Sequence, residues 1–300
     1  MPKVTVCIAV YNGAETLSLA LDSVFAQTYK DFNVLVLDDG STDNSAEIAS
    51  RYDCKVIRQE NQGLGAARRR MVEEADGELI GFNDHDDVWM PDKLEKQVPV
   101  HEEAGAILSY TGGEWVLADS RVVIRDDTAP PGSCSYDHLL PRNLVIGISA
   151  LFGREQMLAA GNFSADVRVG SDLYGWYLLA GRGDFAYVAH PLVRYYQRAG
   201  QNTEASYKAY EADRHLFEDH VLKRFEELFA NAPSDKRAYY RRCLLRYIAK
   251  TKRAMAHFAR VEKQDYRLAM RHHWGSIAAD PANFAYWASF LKNALLWRTQ

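Results

Sequence analysis

The chain has 300 residues, of which 47% are hydrophobic and 25% charged, as in an ordinary globular protein. No stretch reaches about 18 uninterrupted apolar residues, so no membrane-spanning helix is predicted. The net charge of −4 divides unevenly: residues 1–205 carry 18 Lys and Arg against 30 Asp and Glu, and residues 206–300 carry 18 against 10. This asymmetry predicts an acidic front part (1–205) and a basic rear part (206–300) with different partners.

Cysteine usage indicates the compartment. The four cysteines have no Cys-x-x-Cys spacing, which argues against a zinc site and a disulfide framework: Cys7, Cys54, Cys134 and Cys243. A reducing, cytoplasmic location is therefore expected. The apolar run at the start of the chain has the length of a strand, which is too short for a signal peptide.

Strands and helices alternate over the first 100 residues. The predicted strands are "KVTVCIAVY", "FNVLVLD", "CKVIRQE" and "GELIGFND". The predicted helices between them are "AETLSLALDSVFAQT", "DNSAEIASRY", with Ser41 or Thr42 as its cap, and "GLGAARRRMVEEA". Because the strands are almost continuously apolar, we expect a doubly wound, mostly parallel, Rossmann-like sheet covered on both faces.

The middle of the chain is more mixed, and the rear is helical. "AILSYTGGEWVLA" and "SRVVIRDD" predict a hairpin, "VIGISALFGREQMLAAGNF" a strand and a helix, "SDLYGWYLLAGRG" a helix, and "DFAYVAHPLVRYYQR" a closing strand. We therefore divide the chain into an α/β part over residues 1–205 and a basic helical region over residues 206–300.

Two acidic clusters follow predicted strands. Asp38 and Asp39 come after "NVLVL", and Asp84, Asp86 and Asp87 come after "ELIGF". In an open parallel sheet, ligands bind at the carboxyl ends of the strands. One such cluster is typical of a helix cap or a solvated loop, but two at neighbouring strand ends favour a site. Carboxylate oxygens without nearby cysteine suggest Mg²⁺ or Mn²⁺, shared with substrate phosphates.

The order of several motifs resembles the inverting family 2 glycosyltransferases of the GT-A fold. The motifs are "VTVCIAVYNGAETL", "LDSVFAQTY", "VLVLDDGSTDNS", "NQGLGAARRR", "FNDHDDVW" and "GNFSADVRVGSDLYGW", and the resemblance covers about residues 3–200. It implies a GT-A catalytic domain over residues 1–205, with nucleotide-sugar binding in residues 1–100 and the acceptor side in residues 101–205, followed by a basic helical C-terminal region over residues 206–300.

The resemblance also assigns the nucleotide-sugar pocket. The first strand lines it, with Ala9 near the position where many relatives have proline. The resemblance implies that Asp39 contacts a uracil base and that Arg68 faces the nucleotide and its phosphates. The full set of residues implied at the nucleotide-sugar is Ala9, Tyr11, Asn12, Asp38, Asp39, Arg68, Asp84 and His85.

Metal, base and acceptor roles follow from the same resemblance. Asp86, together with Asp84, corresponds to the Asp-x-Asp motif that binds Mn²⁺ or Mg²⁺. Asp172 takes the place of the catalytic base, although Ser171 stands where relatives have Glu. The residues assigned to the acceptor side are Asp87, Trp89, Ser171 and Arg198. For Trp89 the alternative is packing beside the loop, and for Asp87 it is the start of the next turn. Ala199 stands where many relatives have a histidine that helps to hold the metal or phosphate.

The chemistry explains this set of residues. Negative charge grows on the leaving diphosphate, where a divalent cation stabilises it. A carboxylate removes the proton of the acceptor hydroxyl during attack. The expected donor is a nucleotide-sugar, with a UDP-sugar preferred, and the expected acceptor is a glycan or a lipid-linked hydroxyl. Two alternatives are a nucleotidyltransferase of related fold, for which "YNGAETL" lacks a basic residue, and a non-catalytic nucleotide-sugar-binding module.

The basic rear allows two interpretations. Leu244, Ile248 and Met255 predict an amphipathic helix packed on the catalytic domain with a solvated basic face. The second interpretation is a face that meets a lipid-diphosphate acceptor or the anionic lipid headgroups at the inner face of a membrane, as a peripheral contact. Nucleic acid is not expected, since no nucleic-acid-reading module accompanies the basic residues. The sequence does not decide the oligomeric state, and a homo-oligomer is as possible as a monomer.

Overall fold

The computed structural model describes residues 1–117, 119–126, 128–130, 132–167, 170–197, 220–261 and 265–298. Two predictions lie outside the described residues. One is the acceptor-side role of Arg198, with Ala199 in the histidine position. The other is the boundary between front and rear at residue 205, so this division stays a prediction.

One mixed sheet organises the front part. Its strands are β1 (Val4–Val10), β2 (Phe32–Asp38), β3 (Lys55–Arg58), β4 (Leu79–Asp84), β5 (Val88–Trp89), β6 (Leu108–Val116), β7 (Val122–Arg125), β8 (Leu151–Gly153) and β9 (Phe185–Tyr196). The strand order is β3-β2-β1-β4-β8-β6-β9-β5, and β7 pairs with β6. The first four strands are parallel, as predicted. In the second half β8 runs antiparallel to β4 and β6, while β6 and β9 are parallel.

Ten α-helices have both ends within the described segments. They are α1 (Leu17–Phe25), α2 (Ser45–Ala49), α3 (Leu64–Glu74), α4 (Lys93–Glu103), α5 (Arg154–Ala159), α6 (Ser171–Ala180), α7 (Phe225–Leu228), α8 (Arg237–Val261), α9 (Tyr266–Ala279) and α10 (Phe284–Arg298). Every strand predicted from the sequence is present, and so are the helices predicted before residue 181. None of the described helices is both long and apolar enough to cross a membrane.

The central strands are buried on both faces, which explains their continuous apolar sequences. Ile8 of β1 packs in the same cluster as Leu21 of α1 and Leu94 of α4. On the other face, Cys7 shares a cluster with Met71 of α3. Since successive side chains of a strand point to opposite faces, one short strand contributes to both cores.

Strand register aligns the two acidic clusters on either side of β1. Val10 pairs with Asp38, which in turn pairs with Arg58. On the other side of β1, Ala9 pairs with Asp84. The carboxyl ends of β3, β2, β1 and β4 therefore form one edge, where an open parallel sheet binds its ligands.

The rear helices pack on the front part through an aromatic cluster centred on Phe229. Its ring lies 4.9 Å from that of Tyr136, 5.4 Å from Tyr177 and 6.0 Å from Tyr240 of α8. Leu244 belongs to the same core, while Arg241 and Arg242 are exposed. The prediction of an amphipathic helix packed on the front part is thus confirmed for α8.

Candidate active site

The loop after β1 is tied to the loop after β2. The backbone N–H of Asn12 donates to Ser41 Oγ at 2.9 Å, and Asn12 Oδ1 accepts from the backbone N–H of Thr42 at 2.8 Å. Asn12 has a φ of 52°, a left-handed conformation that asparagine tolerates. Ser41 and Thr42 were predicted as helix caps, but Asn44 occupies the position before α2 and makes no side-chain cap bond. Instead, the two residues hold the β1 loop, and neighbouring Tyr11 is exposed.

Asp38 and Asp39 are buried and organise the next loop. Asp38 Oδ1 accepts from the backbone N–H of Ser41 at 2.8 Å, and its Oδ2 lies 3.3 Å from Arg58 Nε. The Asp39 carboxylate accepts from Gln59 Nε2 at 2.8 Å, and from the backbone N–H groups of Gln62 and Gly63 at 2.9 and 2.8 Å. Asp39 therefore fixes the segment that leads from β3 into α3.

Arg68 of α3 contacts side chains from both β4 and α6 and lies at the centre of the candidate site. Its Nη1 donates to Ser171 Oγ at 2.8 Å and lies 3.7 Å from Asp172 Oδ1, while its Nη2 lies 3.8 Å from Asp84 Oδ1. The side chain is buried, and its guanidinium lies 5.4 Å from the ring centre of Phe82. One buried cation thus joins the carboxylates at the end of β4 and at the start of α6. By contrast, Arg69 is exposed and pairs with Glu73 at 3.1 Å.

The Asp84–Asp87 segment divides into a site-facing and an inward-facing part. Asp84, His85 and Asp86 are partly exposed. Although 36% of the Asp84 side chain is exposed, desolvation by the surrounding protein raises the pKa of its carboxyl group; Arg68 opposes this rise, and the negative charge of Asp86 adds to it. His85 Nδ1 lies 2.9 Å from Thr16 Oγ1, so its ring is held against the start of α1.

Asp87 points the other way. It is fully buried, and its Oδ1 accepts from the backbone N–H of Tyr196 at 2.9 Å, which ties the segment to β9. These contacts support a structural role in place of the predicted acceptor-side role.

The prediction of Trp89 as an acceptor-side residue is wrong. Its side chain is buried, and its Nε1 donates to the backbone carbonyl of Ile148 at 2.9 Å, so no ring face is open to a sugar. Lys93 Nζ lies 4.0 Å from the centre of the Trp89 ring and donates to Gln97 Oε1 at 2.6 Å. Burial lowers the pKa of Lys93 to about 7. No pattern in the sequence indicates a buried lysine here, since lysine is rarely fully buried.

Asp172 lies in the first turn of α6, next to Gly147. A Cβ at Gly147 would lie 3.3 Å from Asp172 Oδ2 and 3.4 Å from Arg68 Nη2, so a side chain at this position would crowd both groups. Ser171 is buried, and its hydroxyl accepts from Arg68 instead of facing an acceptor. Sequence reasoning missed Gly147, because a single glycine in a loop carries no signal of what approaches it.

The acidic side chains at the end of β4 could supply some, but not all, of the ligands of a divalent cation. In the described residues, no group of three or more His, Cys, Asp or Glu side chains is arranged to enclose a metal. Asp84 and Asp86 do offer partly exposed carboxylates beside each other, the hard oxygen donors that Mg²⁺ and Mn²⁺ accept. Two protein ligands suffice where a substrate diphosphate supplies the others.

Comparison with known proteins identifies the family. The sequence model described as glycosyl transferase family 2 matches residues 5–156, about half of the chain. The chain belongs to glycosyltransferase family 2. It is therefore a transferase enzyme, as the motif order predicts.

Three bacterial glycosyltransferases illustrate the similarity in sequence. TuaG of Bacillus subtilis strain 168, whose name assigns it to teichuronic acid biosynthesis, is 30% identical over 193 residues, which are 62% of this chain and 75% of TuaG. EpsH of the same strain, named as a glycosyltransferase, is 41% identical over 102 residues, which are 32% of this chain and 30% of EpsH. The matched region spans only 34% of a Nostoc glycosyltransferase, alr2836, which is 40% identical over 111 residues, or 35% of this chain.

Solved structures confirm the fold. The crystal structure of Staphylococcus aureus TarS 1–349 in complex with UDP-GlcNAc superposes with a TM-score of 0.70 at 16% identity, over 97% of this chain and 89% of that chain. At this identity the likeness speaks for the fold alone. The predicted GT-A type α/β fold with a helical C-terminal region is confirmed.

Proposed function

We propose that this glycosyltransferase moves a sugar from a UDP-sugar to a hydroxyl group of a polysaccharide or lipid-linked acceptor, with inversion at the anomeric carbon. The observation that carries the proposal is the position of Arg68 between Asp84 and Asp172. Asp84 lies at the strand edge where an open parallel sheet binds its ligands, Asp172 lies at the start of α6, and each has an oxygen within 3.8 Å of the same guanidinium. A donor and an acceptor could meet between them.

On the donor side, the residues hold and orient the nucleotide-sugar. Asn12 ties the loop after β1 to the loop after β2, Asp39 fixes the segment between β3 and α3, and exposed Tyr11 offers its ring to a base. Asp84 and Asp86 would hold Mn²⁺ or Mg²⁺ together with the diphosphate. When bound, the cation would neutralise the negative charge that grows on the leaving group. The positive charge of Arg68 contributes to the same field from within the protein.

On the acceptor side, Asp172 removes the proton of the attacking hydroxyl. Its side chain is 27% exposed, so a hydroxyl group can reach it, and its Oδ1 lies 3.7 Å from Arg68 Nη1. The bond from the acceptor oxygen to the anomeric carbon forms as the bond to the diphosphate breaks. One base suffices for this single displacement, and no protein nucleophile is needed.

The substrate class is proposed from what similar proteins bind or are named for. TarS was crystallised in complex with UDP-GlcNAc, and TuaG is named for teichuronic acid biosynthesis. These relatives support a UDP-sugar donor and a cell-surface polysaccharide acceptor. Donor identity can be tested by thermal unfolding with UDP, GDP or dTDP, each with Mn²⁺ or with EDTA. We expect UDP with Mn²⁺ to raise the melting temperature most, since a ligand stabilises the state that binds it.

Substitution of the two proposed key carboxylates tests the mechanism. We expect Asp172→Asn to lower the transfer rate by about 10²–10⁴-fold, the range that a general base contributes, while stabilisation by UDP and Mn²⁺ is kept. Asp86→Ala should lose both transfer and the Mn²⁺-dependent part of the stabilisation. UDP release with a panel of UDP-sugars measures transfer, and the exposed Asp166→Asn is the matched control. Near-normal transfer by Asp172→Asn would show that Asp172 is not the base.

A further inference from the structure

The rear helices expose an unusual group of large apolar side chains. Trp274 of α9 is 57% exposed, and on α10 the exposed fractions are 86% for Phe284, 37% for Trp287 and 57% for Leu291. The rings of Trp274 and Trp287 lie 6.2 Å apart, so the two helices present one surface. We name these four residues the aromatic patch. Monomeric soluble proteins rarely expose such contiguous apolar groups unless they bind something.

The residues of the aromatic patch do not form the core between the rear helices. Ala249, Ile277 and Tyr286 form a small buried cluster between α8, α9 and α10. The side chain of Trp287 is fixed by its Nε1, which donates to the backbone carbonyl of Pro281 at 2.9 Å. The aromatic rings are therefore held in place at the surface while the core is formed by other residues.

In the helices that bear and support the patch, every Lys, Arg, Asp or Glu position is a Lys or an Arg. Helices α8, α9 and α10 together contain twelve Lys and Arg residues and no Asp or Glu. On α9 the exposed Arg267 and Arg271 precede Trp274 at helical spacing, and on α10 the exposed Lys292 follows Leu291. The acidic residues that flank α9 are Asp265 and Asp280, and Asp265 is engaged as the cap that accepts from the backbone N–H of Leu268.

We propose that the aromatic patch and its basic border form a docking surface for an anionic lipid bilayer. Tryptophan and phenylalanine enter the boundary between headgroups and acyl chains, and lysine and arginine interact with anionic headgroups. The charge asymmetry of the whole chain favours the same orientation, because the acidic front part is repelled by the surface that attracts the rear. A second copy docked symmetrically on the patch would bring two basic surfaces without acidic residues together. Their positive charges would repel each other, which favours an anionic bilayer over a dimer as the occupant.

Binding to vesicles tests this surface without reference to sugar transfer, so its outcome is independent of the proposed function. The full chain is sedimented with vesicles of phosphatidylcholine alone and with vesicles of equal parts phosphatidylcholine and phosphatidylglycerol. We expect strong preference for the anionic vesicles, weakened by salt. Phe284→Ser with Leu291→Ser should reduce binding about tenfold or more, because both side chains would otherwise enter the bilayer.

Two controls separate this proposal from its competitors. Val122→Ser with Ile124→Ser removes two similarly exposed apolar side chains from β7 and should leave vesicle binding unchanged. Arg271→Glu with Lys292→Glu should reduce binding to anionic vesicles selectively. Equal binding to both vesicle types would overturn the proposal, as would unchanged binding of the Phe284 and Leu291 double variant. So would a chain that binds no vesicles but self-associates through the patch, as measured by light scattering.

Discussion

Arg68 has an unusual position for a positively charged residue, since it is buried and faces two carboxylates and one hydroxyl group. A buried charge requires partners that replace its water, and here the partners come from β4 and α6. The fork of the guanidinium lets Nη1 and Nη2 point to different elements. Arg68 therefore both connects β4 to α6 and places a positive charge beside the two carboxylates of the site.

This geometry predicts that a lysine cannot replace Arg68. Arg68→Lys keeps the charge but loses the fork, so Ser171, Asp84 and Asp172 cannot all be contacted. We expect a loss of about 1–3 kcal/mol in the free energy of unfolding and about tenfold or more in transfer rate. Urea unfolding and UDP release measure the two effects. The exposed Arg69→Lys is the control, and equal behaviour of the two variants would contradict the role of Arg68.

At the scale of elements, the position of α3 decides where Arg68 lies. The first turn of α3 approaches the loop before α6 so closely that a Cβ at Gly65 would lie 2.2 Å from the carbonyl oxygen of Val167 and 2.5 Å from that of Ser164. Both neighbours are backbone atoms, which cannot rotate away. Glycine is required here for close packing of a helix against a loop, and its φ is not left-handed.

A methyl group at this position should separate the two elements. We expect Gly65→Ala to lower the free energy of unfolding by about 1–3 kcal/mol through overpacking, and to weaken transfer by displacing Arg68. Gly275→Ala in α9 is the matched control: a Cβ there would meet the flexible side chain of Lys252, and alanine favours a helix by up to about 1 kcal/mol over glycine. Denaturant midpoints at constant m-value give the comparison, and a neutral Gly65→Ala would contradict the close packing.

At the scale of the molecule, the front and rear parts share one core. The rings of Tyr136 and Tyr177 from the front contact Phe229, which also contacts Tyr240 of α8. The buried area is apolar and continuous with the core under α6. Unfolding of the rear should therefore be coupled to unfolding of the front.

Truncation of Phe229 tests this coupling. Phe229→Ala should lower the free energy of unfolding by about 3–5 kcal/mol, the range for a buried phenylalanine in a packed core. Phe284→Ala removes the same atoms from an exposed position and should change stability by less than about 0.5 kcal/mol. Circular dichroism follows the helices of both parts together, and tryptophan emission follows a set that includes the buried Trp89 and Trp176 of the front part. Unchanged stability of Phe229→Ala would show that the two parts fold separately.

Local sequence determined the elements and the motif positions. Apolar strands of fixed length alternate with amphipathic helices, and this alternation alone predicts parallel strands whose carboxyl ends share one edge. Asp38 and Asp84 could therefore be placed at that edge from sequence, and the register puts them on either side of β1. The family followed from the order of the same motifs.

Only the tertiary structure decided which side chains of those motifs face the site. Asp87 and Trp89 belong to the same motif as Asp86 but turn inward, because β5 pairs with β9 and Ile148 supplies a partner for the indole. The bond from Arg68 to Ser171 spans 103 positions in the chain. Periodicity reports on neighbours within one element, whereas burial and pairing of a side chain depend on elements that packing brings together.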